Sequence, residues 1–269
     1  MIFNLSMPVL KPKGPTASLT AQSGVTYTNG ISGISAEKMS LYAELISNNA
    51  SITNKTSVVY IDDGANHYKV SIGDQVTLSL NGTNYAFDVI GFNHDTLTTS
   101  TAYGATTKTG KAGITFQMHD LFATFYGMNS SATNSGGWKS SAMRTSTMPL
   151  MKGYLPDDWE AIIKPVNKAS GTGGGSTSGT ETVSDSCFLL SEIEVFGSTT
   201  FSVSGEGTQY AYYKAGNSKV KNEGGYANYW WERSPYSGDE IQFCRVNNSG
   251  DARLDIAGRS YGVAFGFCV

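Results

Sequence analysis

Between Ser57 and Phe92 the chain is cut by Asp62-Asp63-Gly64, Gly73-Asp74 and Asn81-Gly82 into four short runs, SVVYI, HYKVSI, VTLSL and NYAFDVIGF. β-Branched and aromatic residues fill the runs, and the breaks hold residues that tolerate a left-handed backbone, which is the pattern of strands joined by tight turns. Asn81-Gly82 is the strongest of these signals, because a two-residue hairpin turn that matches strand twist needs positive φ at both positions. Tyr85, Phe87 and Val89 alternate with Asn84, Ala86 and Asp88, which predicts one face in a core. GITFQM predicts a further strand, and CFLLSEIEVFG a buried strand running into a turn of helix. With 31 glycines, 15 tyrosines and 15% charged residues in 269, few segments sustain a 3.6-residue apolar period. The fold class expected is α+β and strand-rich.

Helices are expected where local signals concentrate. Ser35 is placed to cap a helix in which Met39, Tyr42, Leu45 and Ile46 share a face, ending at Ser47-Asn48-Asn49. Ahead of it, Met1 to Gly33 carries three prolines and a Ser/Thr/Gly-rich passage, the composition of an extended arm ordered by packing on a partner chain. A lone helix of that length is marginal in water, so it too is expected to dock, across a subunit interface. His119 to Tyr126 predicts a helical passage. Beyond it, Pro149, Pro156 and Pro165 divide the stretch from Gly136 to Lys168 into short helices, with Trp138, Met143, Met151 and Trp159 inside. Ala169 to Asp185, ASGTGGGSTSGTETVSD, predicts a flexible surface excursion or a flap. Residues 1–68 are therefore expected to serve oligomerisation or attachment, and residues 69–269 to form a ligand-binding domain.

Composition excludes several functions. The net charge is −3 with no run of Lys or Arg, so nucleic acid is not an expected partner. The first residues, MIFNLSMPVLKPKG, lack a basic leader and an apolar core, and no apolar run spans a bilayer; neither a signal peptide nor membrane insertion is expected. Cys187, Cys244 and Cys268 sit in apolar company and read as small buried hydrophobes, with a Cys244–Cys268 bridge left open. His67, His94 and His119 lack ligand spacing, so no metal is expected. Asp62-Asp63-Gly64 reads as a turn, Glu192 and Glu194 as surface or capping groups, and GTGGGSTSG has no phosphate-loop lysine. No cofactor and no catalysis follow from these residues.

The stretch from Tyr226 to Val269 interleaves two kinds of residue. Trp230, Trp231, Phe243, Gly250, Gly262, Phe265, Gly266 and Phe267 read as a frame. Between them stand Tyr229, Glu232, Tyr236, Asp239, Glu240, Gln242, Arg245, Asp251, Arg253, Asp255, Arg259 and Tyr261. Such a mosaic suits binding, whereas catalysis needs a few groups of matched pKa. Tyr236, Arg245, Arg253, Arg259 and Tyr261 are the expected anchors, since rigid aromatic and guanidinium groups lose little entropy on binding.

The order IGDQVTLSLNGTNYAFDVIGF, GGWKSSAMR, CFLLSEIEVFG, YWWERSP and GVAFGFCV, over residues 69–269, resembles a phage and bacterial domain family of unknown function with a WWLRSP-like motif (DUF6273-like). The chain departs from that pattern at Glu232, where an apolar residue is common, and at Ala264-Phe265, where Arg-Pro is common. That family is similar in turn to C-type lectin-like domains of the formylglycine-generating-enzyme type, which implies a twisted antiparallel sheet with short helices and long loops. The terminal mosaic also resembles proteins diversified by retroelements, with Asn247-Asn248-Ser249-Gly250 as unaltered template. These resemblances imply a tail receptor-binding protein, in the virion or extracellular after lysis. Its implied partners are a bacterial surface protein or glycan, other tail proteins, and its own copies as a homotrimer or other homo-oligomer. A thiol oxidase and a structural tail component are the alternatives.

Overall fold

A computed structural model describes residues 14–269, so the expected absence of a leader and the start of the arm lie outside the described residues. Thr16–Ser18 (β1) and Thr28–Asn29 (β2) precede helix α1 at Ala36–Ser47. Strands β3 to β7 follow at Val58–Asp62, His67–Ser71, Gln75–Leu80, Thr83–Phe92 and Ile114–Met118. Helices α2 (Gly137–Ser140), α3 (Met148–Gly153) and α4 (Asp157–Ile162) come next, with a π turn, Met143–Thr147, leading into α3. Strands β8 (Val166–Gly171), β9 (Thr180–Asp185) and β10 (Cys187–Phe188) lead to helices α5 (Glu192–Phe196) and α6 (Ala211–Lys214). The chain closes with β11 (Lys221–Glu223), β12 (Tyr226–Asn228), β13 (Trp230–Pro235), β14 (Gln242–Val246), β15 (Ala252–Ile256) and β16 (Gly266–Cys268).

The architecture is α+β. A sheet in the order β10-β16-β7-β6-β5 forms its centre, flanked by sheets β1-β3-β4-β2 and β13-β14-β15. All five strands read from the sequence before residue 120 are present, and Asn81 and Gly82 turn β5 into β6 with φ of 47° and 84°. Strand β16 lies between β10 and β7, which puts Phe267 against Phe87 and Phe116 at centroid separations of 5.4 Å, with Trp159 of α4 over them. One apolar core runs from Ala17 to Val269. Burial of β6 rises along its length instead of alternating: Thr83 and Asn84 are exposed, Tyr85 and Ala86 half-buried, and from Phe87 onward both faces are buried, Asp88 with Phe87 and Val89.

Helix α1 starts at the expected cap, the Ser35 hydroxyl accepting from the Lys38 amide, and buries Met39, Tyr42 and Ile46. Its docking partner differs from expectation: it packs on its own chain. Asn93 Nδ2 donates to Ile46 O at 2.9 Å, Ser47 Oγ donates to Lys111 O, and Gly113 passes so close that a Cβ there would stand 1.9 Å from Ala43 O. The β1 and β2 segments are likewise ordered by pairing with β3 and β4, whose edges would otherwise expose backbone donors and acceptors.

Three further expectations are corrected. His119 to Tyr126 contains no helix, because its amides donate to distant carbonyls instead of to the preceding turn: His119 to Ala86, Leu121 to Asn222, Phe122 to Val263 and Tyr126 to Tyr261. Ala169 to Asp185 is no loose excursion but the turn and arms of the β8–β9 hairpin, its tip pressed on Asn134, where a Cβ on Gly173 would lie 1.8 Å from Asn134 O. Glu192 and Glu194 are buried in α5 and do not share a strand face. Glu194 completes a capping box with Ser191, and Glu192 accepts the amides of Thr200, Phe201 and Ser202. Cys187, Cys244 and Cys268 are buried and unbridged, their thiols pushed up by burial. Among the described residues no helix is long and apolar enough to cross a membrane.

Candidate functional site

Strands β13, β14 and β15 carry five of the twelve mosaic residues and their connections and flanks the rest, and both ends of this small sheet are pinned by side chains. At one end Asn247 Oδ1 accepts the amides of Ser249 and Asp251, closing the turn between β14 and β15 with Gly250 at φ 83°. At the other, Asp239 Oδ1 accepts from Ile241 and Gln242, and Asn134 Nδ2 reaches the carbonyls of Tyr236, Asp239 and Gln242. Asp239 thus holds a turn, and Asn247 to Gly250 make one.

Register decides which side chains share a face. Arg245 pairs with both Trp231 and Arg253, so these three project from the same side of the sheet. Trp231 is the buried floor, its Nε1 donating to Tyr126 O at 2.9 Å. Tyr261, tied by backbone pairing to Tyr126, sets its ring against Trp231 at 5.1 Å and Tyr229 at 5.4 Å. The Arg245 guanidinium packs against both rings of this T-shaped tyrosine pair, 4.3 Å from Tyr229 and 5.2 Å from Tyr261, close enough for each ring to stabilise the cation.

Asp255 gathers the charges of this face. Its carboxylate takes Arg245 Nε at 3.1 Å, the Tyr261 hydroxyl at 2.6 Å and Arg259 Nε at 3.3 Å. Burial alone would raise it, but the Tyr261 hydroxyl, the Ile256 amide and the two arginines hold it below the usual carboxylate range. Arg245 is only 12% exposed and its Nη1 is buried without an acceptor, so its part in this face is chiefly to hold Tyr229, Tyr261 and Asp255 together. Arg253 and Arg259 stand out at 53% and 61%, Arg253 resting on Asp251 at the rim.

Six of the twelve expected residues, Tyr229, Arg245, Arg253, Asp255, Arg259 and Tyr261, therefore meet on one face. Tyr236, Asp239 and Glu240 lie in the β13–β14 connection, and Gln242 alternates to the opposite side of the sheet. Glu232 is corrected outright. It is fully buried, both carboxylate oxygens lack a partner, and burial together with Glu192 and Glu206 pushes its pKa well up, so it is held as the neutral acid. Strand β13 is buried on both faces along its whole length, so Glu232 has no outward side to take.

The functional reading of the motif around Trp230 and Trp231 also missed its next two residues. Arg233 is buried and donates through Nη2 to Glu194 Oε1 at 2.9 Å and through Nε to Ala169 O at 3.0 Å, while Ser234 donates to Glu206. Lys168 joins the same cluster, 2.7 Å from Asp95 and 2.9 Å from Glu194, with the Tyr210 hydroxyl beside it. Burial works against ionising Asp95 and Glu194, and the cations outweigh it, keeping both carboxyls low. Among the described residues His94, Asp95 and Glu194 bring three possible metal ligands within 4.8 Å of one another, but Lys168 and Arg233 already neutralise the two carboxylates. This cluster ties α5, β8 and β13 together. Its signal in the sequence was the Arg-Ser pair inside WWERSP, which composition alone assigned to no role.

No curated protein and no solved structure matches the chain. Residues 113–269, more than half of the sequence and the part containing β7, the buried ion cluster apart from Asp95, and the Tyr/Arg face, match the family model described as Domain of unknown function (DUF6273), and the chain belongs to that family.

Proposed function

We propose that the chain is a receptor-binding protein of a phage or prophage tail, whose Tyr229, Arg245, Arg253, Asp255, Arg259 and Tyr261 face meets a protein or glycan of the bacterial surface. The observation that carries this reading is Arg245 packed against two tyrosine rings on one face of a sheet pinned at both ends. Tyr and Arg dominate binding energy at protein surfaces, and preorganised side chains lose little freedom when a partner arrives. In this reading the domain is C-type lectin-like, and residues 226–269 are the stretch a retroelement rewrites. Support comes from the division of labour: Trp230, Trp231 and Phe243 are buried and frame the sheet, whereas Arg253 and Arg259 touch little that holds it up. Homotrimeric display on a tail would turn modest single sites into firm attachment through avidity. The thiol-oxidase alternative is disfavoured by three thiols that are buried and held protonated.

The test is a binding screen of the purified protein against intact bacteria and isolated envelope fractions. Replacing Tyr229, Arg245, Arg253 and Tyr261 together by Ser is expected to abolish capture while near-ultraviolet circular dichroism shows native packing. Capture that survives the four changes overturns the assignment of this face. A neighbouring reverse-transcriptase gene with an Asn-codon-rich near-copy of the terminal stretch is the expected genomic companion, and its absence removes the diversification reading alone.

A further inference from the structure

A cavity of about 470 Å3 with mixed polar and apolar walls opens between the start of β6, the segment after β7 and the β11–β12 turn. None of the twelve mosaic residues lines it, and its size falls in the range of about 300–1,000 Å3 common to small-molecule sites. Its chemistry is set by His119. Asp88, nearly buried and held by Gln75 Nε2 at 2.8 Å, takes His119 Nδ1 at 2.9 Å, which fixes the tautomer and leaves Nε2 as the outward nitrogen of a ring 46% exposed. The backbone of His119 is clamped as well: its amide donates to Ala86 O and its carbonyl accepts from Lys221 Nζ, both at 2.9 Å.

Asp120 is fixed beside it. Its Oδ1 accepts the Asn222 amide at 2.8 Å and the Asn222 side chain at 3.1 Å, and among the described residues no donor reaches Oδ2. Glu223 adds a further carboxylate to the lining, and Tyr85 an aromatic ring backed by Phe122 at 5.6 Å. Among the described residues no arginine or lysine lines the cavity. The Lys221 ammonium, behind His119, is buried, donates to the Met118 and His119 carbonyls, and is pushed down to about 8 by burial. Fixed acceptors, one imidazole nitrogen and an aromatic surface match a ligand that offers several hydroxyl donors and an apolar ring face, and the two carboxylates repel an anion.

We propose that this cavity holds one non-anionic pyranose unit of a saccharide, with Asp120 and His119 Nε2 hydrogen-bonded to its hydroxyls and Tyr85 against its ring. The site is separate from the Tyr/Arg face and does not depend on it.

Saturation-transfer NMR with a panel of methyl hexopyranosides, methyl glucuronide and choline tests the assignment. At least one neutral hexopyranoside is expected to receive saturation from the wild-type protein. Asp120→Asn, which keeps the side chain's size, and Tyr85→Ala are each expected to weaken that binding about tenfold or more, the scale of one lost charge-assisted contact. The Tyr229→Ser, Arg245→Ser protein should bind the sugar as the wild type does, so loss of host capture and loss of this site are read separately. Silence across the neutral panel, preference for glucuronide or choline, or binding indifferent to Asp120→Asn in a protein of native circular dichroism overturns the proposal.

Discussion

Arg233 of β13 and Glu194 of α5 close on each other through two hydrogen bonds, Nη1 to Oε2 and Nη2 to Oε1, with both side chains only 1% and 3% exposed. Glu194 is at the same time the N3 residue of the α5 capping box and an acceptor for Lys168. One carboxylate thereby joins a helix start, a hairpin arm and the strand beneath the Tyr/Arg face.

Removing either partner strands the other in a medium that solvates charge poorly. Arg233→Ala is expected to lower unfolding stability by about 3–5 kcal/mol. Urea denaturation followed by tryptophan fluorescence measures it, and a loss below about 1 kcal/mol would mean that water or a neighbour takes over the pairing.

Glu232→Leu is expected to stabilise the fold, since the native carboxyl is buried without a partner and an apolar side chain there needs none. The sign of its pH dependence follows from linkage. The folded pKa is raised above the unfolded value of 4.5, so the acid favours the folded state fully only below that value, and stability is lost as pH rises through and beyond it. The gap between variant and wild type should therefore widen above about pH 4.5, by up to about 1.4 kcal/mol per pH unit. Glu206, whose pKa burial also raises, is coupled to Glu232 by charge, so the change in slope belongs to the pair. Melting curves from pH 4 to 9 with a constant gap would refute the neutral-acid assignment.

His94 has the opposite sign. Burial pulls its pKa down despite Asp95 and Glu194, and its ring stacks on Tyr210 at 3.9 Å. A depressed folded value means that stability is present above the unfolded value of 6.5 and lost as pH falls below it. His94→Phe, which retains the stack, should flatten that acid limb; an unchanged limb in the same melting series would place the titration elsewhere.

Gly113→Ala tests whether α1 belongs to this chain's core in solution. A Cβ 1.9 Å from the Ala43 carbonyl forces backbone apart, at a cost of about 3 kcal/mol or more. Hydrogen exchange across Ala36–Ser47 should accelerate in the variant. Unaltered protection would mean that the helix docks on a partner instead.

Strands, turns and the Ser35 cap were legible in the sequence because each is set within a few residues: β-branched runs favour extended backbone, Asn81-Gly82 supplies two positive φ angles, and one hydroxyl meets an amide three positions on. The candidate face was legible in outline, as Tyr and Arg residues interleaved with a buried frame. Direction was not. Strand β13 is buried on both faces and takes Glu232 with it, and Gln242 and Arg245, three apart in β14, point to opposite sides. Tertiary structure alone decided that Arg233 meets Glu194, that Asp88 orients His119, and that the glycine-rich segment is a hairpin pressed on Asn134. Those partners lie from 31 to 40 residues apart in the chain, and whether a charge is buried and paired depends on which distant segments fold around it.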